Sequence, residues 1–124
     1  MAVDPGAEIV VRFLSARDDR HRGLFLGTIG MLEIPETGAC HDQFLVEFDP
    51  DRPCMLRVVK TDGSLRFYPA VSDEYGHPQT LLRNQCLAQT SADEGTLTYT
   101  CADPGRTVTF GVMEFSISVR PPAP

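Results

Sequence analysis

The residues best suited to chemistry in this sequence are its four cysteines, Cys40, Cys54, Cys86 and Cys101, and its three histidines. No two cysteines are spaced as Cys-x-x-Cys, the arrangement typical of structural zinc sites, and the adjacent Cys40 and His41 would chelate one metal ion poorly. A cysteine nucleophile needs a nearby base, but all three histidines fall in polar stretches that we expect to be exposed loops. The sequence therefore predicts no metal site, no cofactor and no catalytic residue.

A disulfide between Cys86 and Cys101 is the one cysteine pairing that the sequence pattern supports. If residues 80–90 and 96–102 form a hairpin around the intervening turn, Cys86 lies nearly opposite Cys101. The Cα atoms of such opposed residues are about 4.5–5.5 Å apart, within the range that a disulfide tolerates. The competing interpretation is that Cys54 and Cys101 are small buried hydrophobic residues. A thiol count with and without reductant distinguishes the two.

The stretch 69–79 is the first choice for a ligand or partner loop, because function concentrates on loops held by a rigid scaffold. It mixes aromatic, acidic and imidazole side chains near a turn. The candidate residues are Tyr68, Asp73, Glu74, Tyr75 and His77. The alternative is an ordinary exposed connection, which the sequence favours.

The charge balance argues against several classes of partner. Eleven Lys and Arg stand against 17 Asp and Glu, which gives a net charge of −6. Binding a nucleic acid requires clustered cations, and anionic membranes attract basic surfaces, so we expect neither partner. No stretch approaches the roughly 20 apolar residues of a membrane-spanning helix. The first residues lack the cationic and apolar regions of a signal peptide. If Met1 is the native start we expect an intracellular, cytoplasmic protein, and a secreted mature chain is the open alternative.

The elements that must position these residues are predicted to be short β-strands. Ten glycines and ten prolines punctuate the 124 residues, between stretches rich in β-branched and aromatic side chains. The stretch 80–90 fits a strand or a short helix, and the charged stretch 17–23 is expected to be an exposed loop. The predicted strands are 9–14, 24–34, 44–48, 54–60, 65–68, 96–102 and 107–120.

Seven to eight short strands with turn chemistry between them predict an antiparallel β-sandwich, with a small closed β-barrel as the alternative. The length is that of a single domain. It spans residues 1–124, with a short N-terminal arm at 1–6 and a Pro-rich tail at 121–124.

Two local features predict how the strands connect. Asp62-Gly63 lies between two strand-like runs and supplies the positive φ angles of a two-residue hairpin turn. The strands 54–60 and 65–68 should therefore pair directly with each other. In 107–120 the alternation of apolar residues changes parity, which requires an inserted residue. We therefore expect a bulge or corner near Gly111.

Because no catalytic constellation is visible, the sequence favours a non-enzymatic function. The leading interpretation is a protein-interaction or structural module that contacts another protein, or a second copy of itself, through a sheet face, a sheet edge or the tail. The alternative is a small enzyme or small-ligand carrier with its site in the loops at one end of the β-structure. A concave pocket with convergent polar groups would favour the carrier, whereas an exposed apolar patch or an unpaired edge would favour the module.

Overall fold

The structure, a computed structural model, describes residues 1–17, 20–72, 78–80, 87–103 and 110–122. These residues form nine β-strands, all in antiparallel pairs, and no helix that could cross a membrane. The predicted all-β antiparallel architecture is confirmed. The strands are β1 (Glu8–Ala16), β2 (Arg22–Ile34), β3 (Ala39–Glu47), β4 (Cys54–Lys60), β5 (Leu65–Ser72), β6 (Pro78–Thr80), β7 (Leu87–Asp93), β8 (Thr96–Ala102) and β9 (Phe110–Arg120).

All nine strands belong to one hydrogen-bonded sheet, whose order is β6-β5-β2-β4-β1-β9-β8-β7, with β3 paired to β2 beside this path. The sheet folds over in β2, which pairs with β5 through residues 22–28 and with β4 through residues 31–33. A strand that changes partner in this way forms a corner between two layers. The front layer contains β6, β5, the first half of β2 and the part of β3 that pairs with it, Gln43–Glu47. The back layer contains the second half of β2 and β4, β1, β9, β8 and β7.

The core lies between the two layers. The ring of Phe67 in the front layer packs edge-on against Tyr99 and Phe115 of the back layer, at centroid distances of 5.2 and 6.2 Å. Phe115 is fully buried, and edge-to-face packing of this kind is favourable for aromatic rings. The layers therefore pack as a sandwich, and the pairing among the described strands leaves the sheet open instead of closing it into a barrel.

The turn at Asp62-Gly63 is present, but in the described chain the strands it joins do not pair with each other. Gly63 has a φ of 97°, and the Asp62 carboxylate accepts a hydrogen bond from the Ser64 amide. β4 and β5 instead pair with successive segments of β2, which lies between them. β2 passes so close to the end of β4 that a Cβ on Gly30 would lie 2.2 Å from the carbonyl oxygen of Lys60. The hairpin prediction was wrong, because an Asp-Gly pair specifies a local reversal and not the neighbouring strand.

The bulge expected near Gly111 is confirmed. Met113 of β9 pairs with Cys101, but Phe110 pairs with Ala102, so the residues between them in β9 form a bulge. Gly111 lies in this bulge with a φ of 96°, a conformation that glycine adopts without steric cost.

The N-terminal arm is held against the turn between β4 and β5. The amide of Val3 donates to the carbonyl of Gly63 at 3.0 Å, and the amide of Leu65 donates to the carbonyl of Met1 at 2.7 Å. The side chain of Val3 is buried in the core cluster. The arm therefore contributes to the core of the domain.

Candidate functional site

Tyr68 and Cys101 are the predicted site residues that lie in the described part of the chain. Leu87 is directly opposite Cys101 in the β7–β8 pairing, one position beyond the expected partner Cys86. Cys101 is buried, and Cys54 is half-buried. The loop site and the Cys86–Cys101 disulfide remain predictions, because the following residues lie outside the described ranges: Asp73, Glu74, Tyr75, His77 and Cys86.

Tyr68 belongs to a row of apolar side chains across the outer face of the front layer. Phe25 of β2 is directly opposite Tyr68 of β5 on one side and Leu45 of β3 on the other, and directly opposed residues project from the same face of a sheet. The rings of Phe25 and Tyr68 stack with centroids 6.3 Å apart. Leu45 is 45% exposed. We call Leu45, Phe25 and Tyr68 the front row.

Two glycines of β2, Gly23 and Gly27, flank Phe25 on this face. A Cβ on Gly27 would lie 3.4 Å from the ring of Phe25, an ordinary contact distance. The ring therefore covers the surface that Gly27 leaves bare, as aromatic residues do beside glycines in sheets. Gly23 approaches β3 much more closely, because a Cβ there would lie 2.3 Å from the carbonyl oxygen of Val46.

A cavity of about 220 Å³ opens over Gly23, with walls that include His21, Leu45, Glu47 and Ser72. A second cavity of about 340 Å³ shares His21 and Glu47 and extends to Arg17, Arg20 and Phe48. Both cavities lie at the end of the sheet where the predicted loop 69–79 begins. In a carrier, polar side chains of the cavity walls such as His21, Glu47 and Ser72 would bind the ligand.

Arg22 anchors this end of the sheet and corrects the expectation that 17–23 is an exposed loop. Its side chain is 3% exposed and forms a bidentate ion pair with Asp103, with Nη1–Oδ1 and Nη2–Oδ2 distances of 2.7 and 3.0 Å. Bidentate arginine–carboxylate pairs are strong and geometrically specific. Because the two residues are 81 positions apart, no local pattern in the sequence identifies them as partners.

The open edge of β3 lies beside the front row, since β3 pairs with β2 alone among the described strands. The amide of Phe48 donates to the carbonyl of Arg22 at 2.8 Å. Hydrogen-bonded pairs alternate with non-bonded pairs along an antiparallel ladder, so Val46 and Phe44 also direct their backbone groups to β2. The residues whose amide and carbonyl groups point to the open side are then Gln43, Leu45 and Glu47.

The pairing of β5 with the other side of β2 agrees with this alternation. The amide of Ser72 donates to the carbonyl of His21 at 2.8 Å, so Gly23 and Phe25 direct their backbone groups toward β5. Pro69, which has no amide hydrogen, lies opposite Leu24, where the ladder requires no hydrogen bond from it. Both neighbours of β2 therefore support the same assignment for the edge of β3.

The segment Gln43–Glu47, which we call the edge segment, is apolar on both faces of the sheet. Phe44 and Val46 point toward the core and are only partly buried, whereas Leu45 points outward in the front row. An edge strand presents a row of backbone donors and acceptors to any other extended chain. The edge segment adds three consecutive apolar side chains to that row.

The resolved pKa shifts lie away from this surface. Burial raises the pKa of the Cys54 thiol and of the Tyr99 phenol. Partial desolvation raises the pKa of Asp62, but hydrogen bonds from the Ser64 amide and the Arg66 guanidinium outweigh it, so this pKa is lowered. Perturbed pKa values tend to mark catalytic sites, and in the described part of the chain none of these three residues lines either cavity. Nor do three or more His, Cys, Asp or Glu side chains come together there in a way that could hold a metal ion.

The fold and this surface define an all-β domain with an open, apolar strand edge. No protein-family model, curated protein or solved structure matches the chain. Its function must therefore be inferred from the geometry.

Proposed function

We propose that the protein is a non-enzymatic interaction or structural module that binds an extended polypeptide segment along the edge of β3. One observation carries the proposal: the edge segment Gln43–Glu47 directs the backbone groups of three residues to its open side and is apolar on both faces. A partner strand would accept and donate hydrogen bonds at Gln43, Leu45 and Glu47. This mode of recognition is β-strand addition, in which main-chain hydrogen bonds give affinity and side-chain contacts give specificity.

The two faces of β3 define the side chains that such a partner should carry. Residues opposite Phe44 and Val46 would cover the partly buried inner face, and a residue opposite Leu45 would extend the front row. Directly opposed apolar side chains stabilise a strand pair, whereas like charges destabilise it. The preferred partner therefore has three consecutive apolar residues, and the position opposite Glu47 is polar or basic.

A small-ligand carrier is the second candidate, favoured by the cavity over Gly23. Ligand pockets commonly enclose about 300–1,000 Å³; the second cavity, at about 340 Å³, is at the lower end of this range, and the cavity over Gly23, at about 220 Å³, is smaller. Two of its polar groups are also engaged structurally, since Arg22 binds Asp103 and the Ser72 hydroxyl accepts from the His21 amide. The observations therefore favour strand addition.

The proposal can be tested by selecting binders to the immobilised protein from a random-peptide library displayed on phage. The test variant is Gln43→Pro, which removes an outward-pointing amide without removing a hydrogen bond to β2. Gln43→Thr retains that amide and is the matched control. We expect enriched peptides to contain three consecutive apolar residues and to lose roughly tenfold or more in affinity for Gln43→Pro, equivalent to about 1.4 kcal/mol.

Two results would overturn the proposal. One is the absence of enrichment, and the other is equal binding of the selected peptides to Gln43→Pro and Gln43→Thr. The carrier would be favoured by a small molecule that shifts the backbone resonances of Ala70 and Val71, which line the cavity, and leaves those of the edge segment unchanged.

A further inference from the structure

We infer that the strand that binds the edge of β3 is the edge segment of a second copy of this chain, in a two-fold antiparallel pair centred on Leu45. This inference rests on the proposed function, because it identifies the partner of the same edge. In a two-fold interface each contact is made twice by the same surface. The segment must then be complementary to its own reversed sequence.

The edge segment meets this requirement at every position. When Leu45 faces Leu45 of the second copy, Phe44 faces Val46 and Gln43 faces Glu47. The pair at the centre is apolar, the two flanking pairs on the inner face are apolar, and the outer pairs join an amide to a carboxylate. The hydrogen-bonding classes also match, because Gln43, Leu45 and Glu47 all direct their backbone groups to the open side and face one another in this register.

The charges of the edge segment do not oppose this register. Glu47 faces Gln43 of the second copy, so the two Glu47 carboxylates are four residues apart along the strand, about 13 Å at the usual rise per residue. Charges separated by more than the Debye length, about 8 Å at physiological ionic strength, are largely screened. The net charge of −6 on each copy therefore acts as a weak, salt-dependent repulsion, and no like charges face each other.

The same register joins the front rows of the two copies. Within one copy, Tyr68, Phe25 and Leu45 are directly opposed across β5, β2 and β3. Pairing at Leu45 continues this row into the second copy, so that its members form a single apolar ridge across both front layers. At the same time Phe44 and Val46 of each copy become covered by those of the other. The dimer thus buries apolar groups on both faces of the sheet.

The test uses Leu45→Lys and Leu45→Glu, analysed separately and as an equimolar mixture by sedimentation equilibrium over a wide range of concentration. Each substitution puts two like charges at the centre of the pair, and we expect the dimer dissociation constant to rise roughly tenfold or more. The mixture should regain a dimer of one Lys and one Glu variant, because opposite charges then face each other. Such recovery requires residue 45 of one copy to lie opposite residue 45 of the other.

The inference is overturned if the unmodified chain stays monomeric at all concentrations, or if the mixture associates no better than either variant alone. Gln43→Pro provides a second route to the same answer, since it should weaken the dimer without adding charge, whereas Gln43→Thr should not. A monomeric chain that still selects apolar peptides on its β3 edge would refute the dimer and leave the proposed function intact. Peptides that bind Gln43→Pro and Gln43→Thr equally would refute the proposed function itself.

Discussion

β3 and β7 both lie at edges of the described sheet, and each pairs with a single neighbour, β2 and β8 respectively. β7 is interrupted, because Gln89 pairs with Tyr99 and Ser91 pairs with Thr98, which leaves Thr90 inserted as a bulge. The hydroxyl of Thr90 donates to the carbonyl of Thr98 at 3.3 Å and holds the bulge in place. The edge segment of β3 has no inserted residue over Gln43–Glu47.

The two edges also differ in side chains. The exposed stretch of β7 from Gln89 to Asp93 is polar except for Ala92, and the more apolar end of the strand at Leu87 is partly buried. β3 places Phe44, Leu45 and Val46 in sequence at its edge. Bulges and polar side chains are the means by which proteins prevent edge-to-edge pairing. The comparison therefore indicates that β7 is protected against pairing, whereas the edge segment of β3 is left able to pair.

The largest effect that we expect comes from the ion pair that ties the two edges together. Arg22 begins β2, beside the end of β3, and Asp103 follows β8, the neighbour of β7. Asp103→Ala would leave the guanidinium of Arg22, 3% exposed, buried without this carboxylate. We expect the free energy of unfolding, measured by urea denaturation, to fall by about 3 kcal/mol.

The matched control for Asp103→Ala is Glu36→Ala, which breaks an ion pair with Arg52 on the surface. Both side chains of that pair are more than three-quarters exposed, and the atoms are 3.6 Å apart. Exposed pairs contribute about 0–1 kcal/mol. Equal losses in the free energy of unfolding from the two variants would show that the buried Arg22–Asp103 pair contributes no more to stability than an exposed pair.

The contrast between Asp103 and Gly111 indicates how much of this fold the sequence can predict. The bulge near Gly111 follows from a parity change within one strand, so a local pattern identifies it. The all-β architecture follows from the spacing of strand-like stretches and turns in the same way. The Arg22–Asp103 pair depends on two segments that meet only in the folded chain, and the position of Arg22 within a charged stretch predicts exposure instead.

The candidate surface was predicted only in part, for the same physical reason. Tyr68 was singled out for its neighbouring loop, but its place in the front row depends on Phe25 and Leu45, which reach it through two strand registers. The apolar triplet at Phe44–Val46 predicts a strand and does not reveal that the strand lies at an edge. The failure of the Asp62-Gly63 hairpin has the same origin, because β2 enters between β4 and β5 from a distant part of the sequence.

The second prediction tests whether the edge of β3 depends on its close approach to β2. Gly23→Ala would put a Cβ 2.3 Å from the backbone oxygen of Val46, so β3 must shift. We expect a loss of about 2 kcal/mol in the free energy of unfolding, typical of overpacking, and weaker association through the edge segment. Circular dichroism during urea denaturation, followed by sedimentation equilibrium of the folded variant, would measure both effects.

Gly27→Ala is the control for Gly23→Ala, since its nearest neighbours would lie at 3.4–3.5 Å. It should change the free energy of unfolding by less than about 1 kcal/mol, because the added methyl group meets no close neighbour and alanine restricts the unfolded chain more than glycine does. A similar loss from both variants would mean that the spacing between β2 and β3 does not control the edge.

The third prediction attempts to remove the difference between the two edges. Deleting Thr90 would make Gln89 and Ser91 consecutive opposite Tyr99 and Thr98, which restores a regular strand without changing the faces of the remaining residues. We expect the deletion variant to self-associate at lower concentration than the unmodified chain. The deletion combined with Gln43→Pro should also self-associate more readily than Gln43→Pro alone. If the combined variant stays as monomeric as Gln43→Pro alone, the bulge is not what protects β7.

The smallest expected effect concerns the turn at Asp62, which lies away from both edges and should influence stability without influencing association. The pKa of Asp62 is lower in the folded protein than the usual aspartate value because of hydrogen bonds from Ser64 and Arg66. A lowered pKa means that the folded state prefers the charged carboxylate. The resulting stabilisation is present above the unfolded-state pKa and is lost as the pH falls through the folded-state value.

Asp62→Asn keeps the acceptor for the Ser64 amide and removes the charge that attracts Arg66. We therefore expect it to be slightly less stable than the unmodified chain at neutral pH and to converge with it below about pH 4, where aspartate becomes protonated. Thermal unfolding followed from neutral to acidic pH would detect this convergence. Sedimentation at neutral pH should give the same dimer dissociation constant for both proteins, because the turn lies outside the edge segment and hydrogen-bonds to the N-terminal arm, β2 and β5. A changed dissociation constant would show that association depends on more of the sheet than the edge segment.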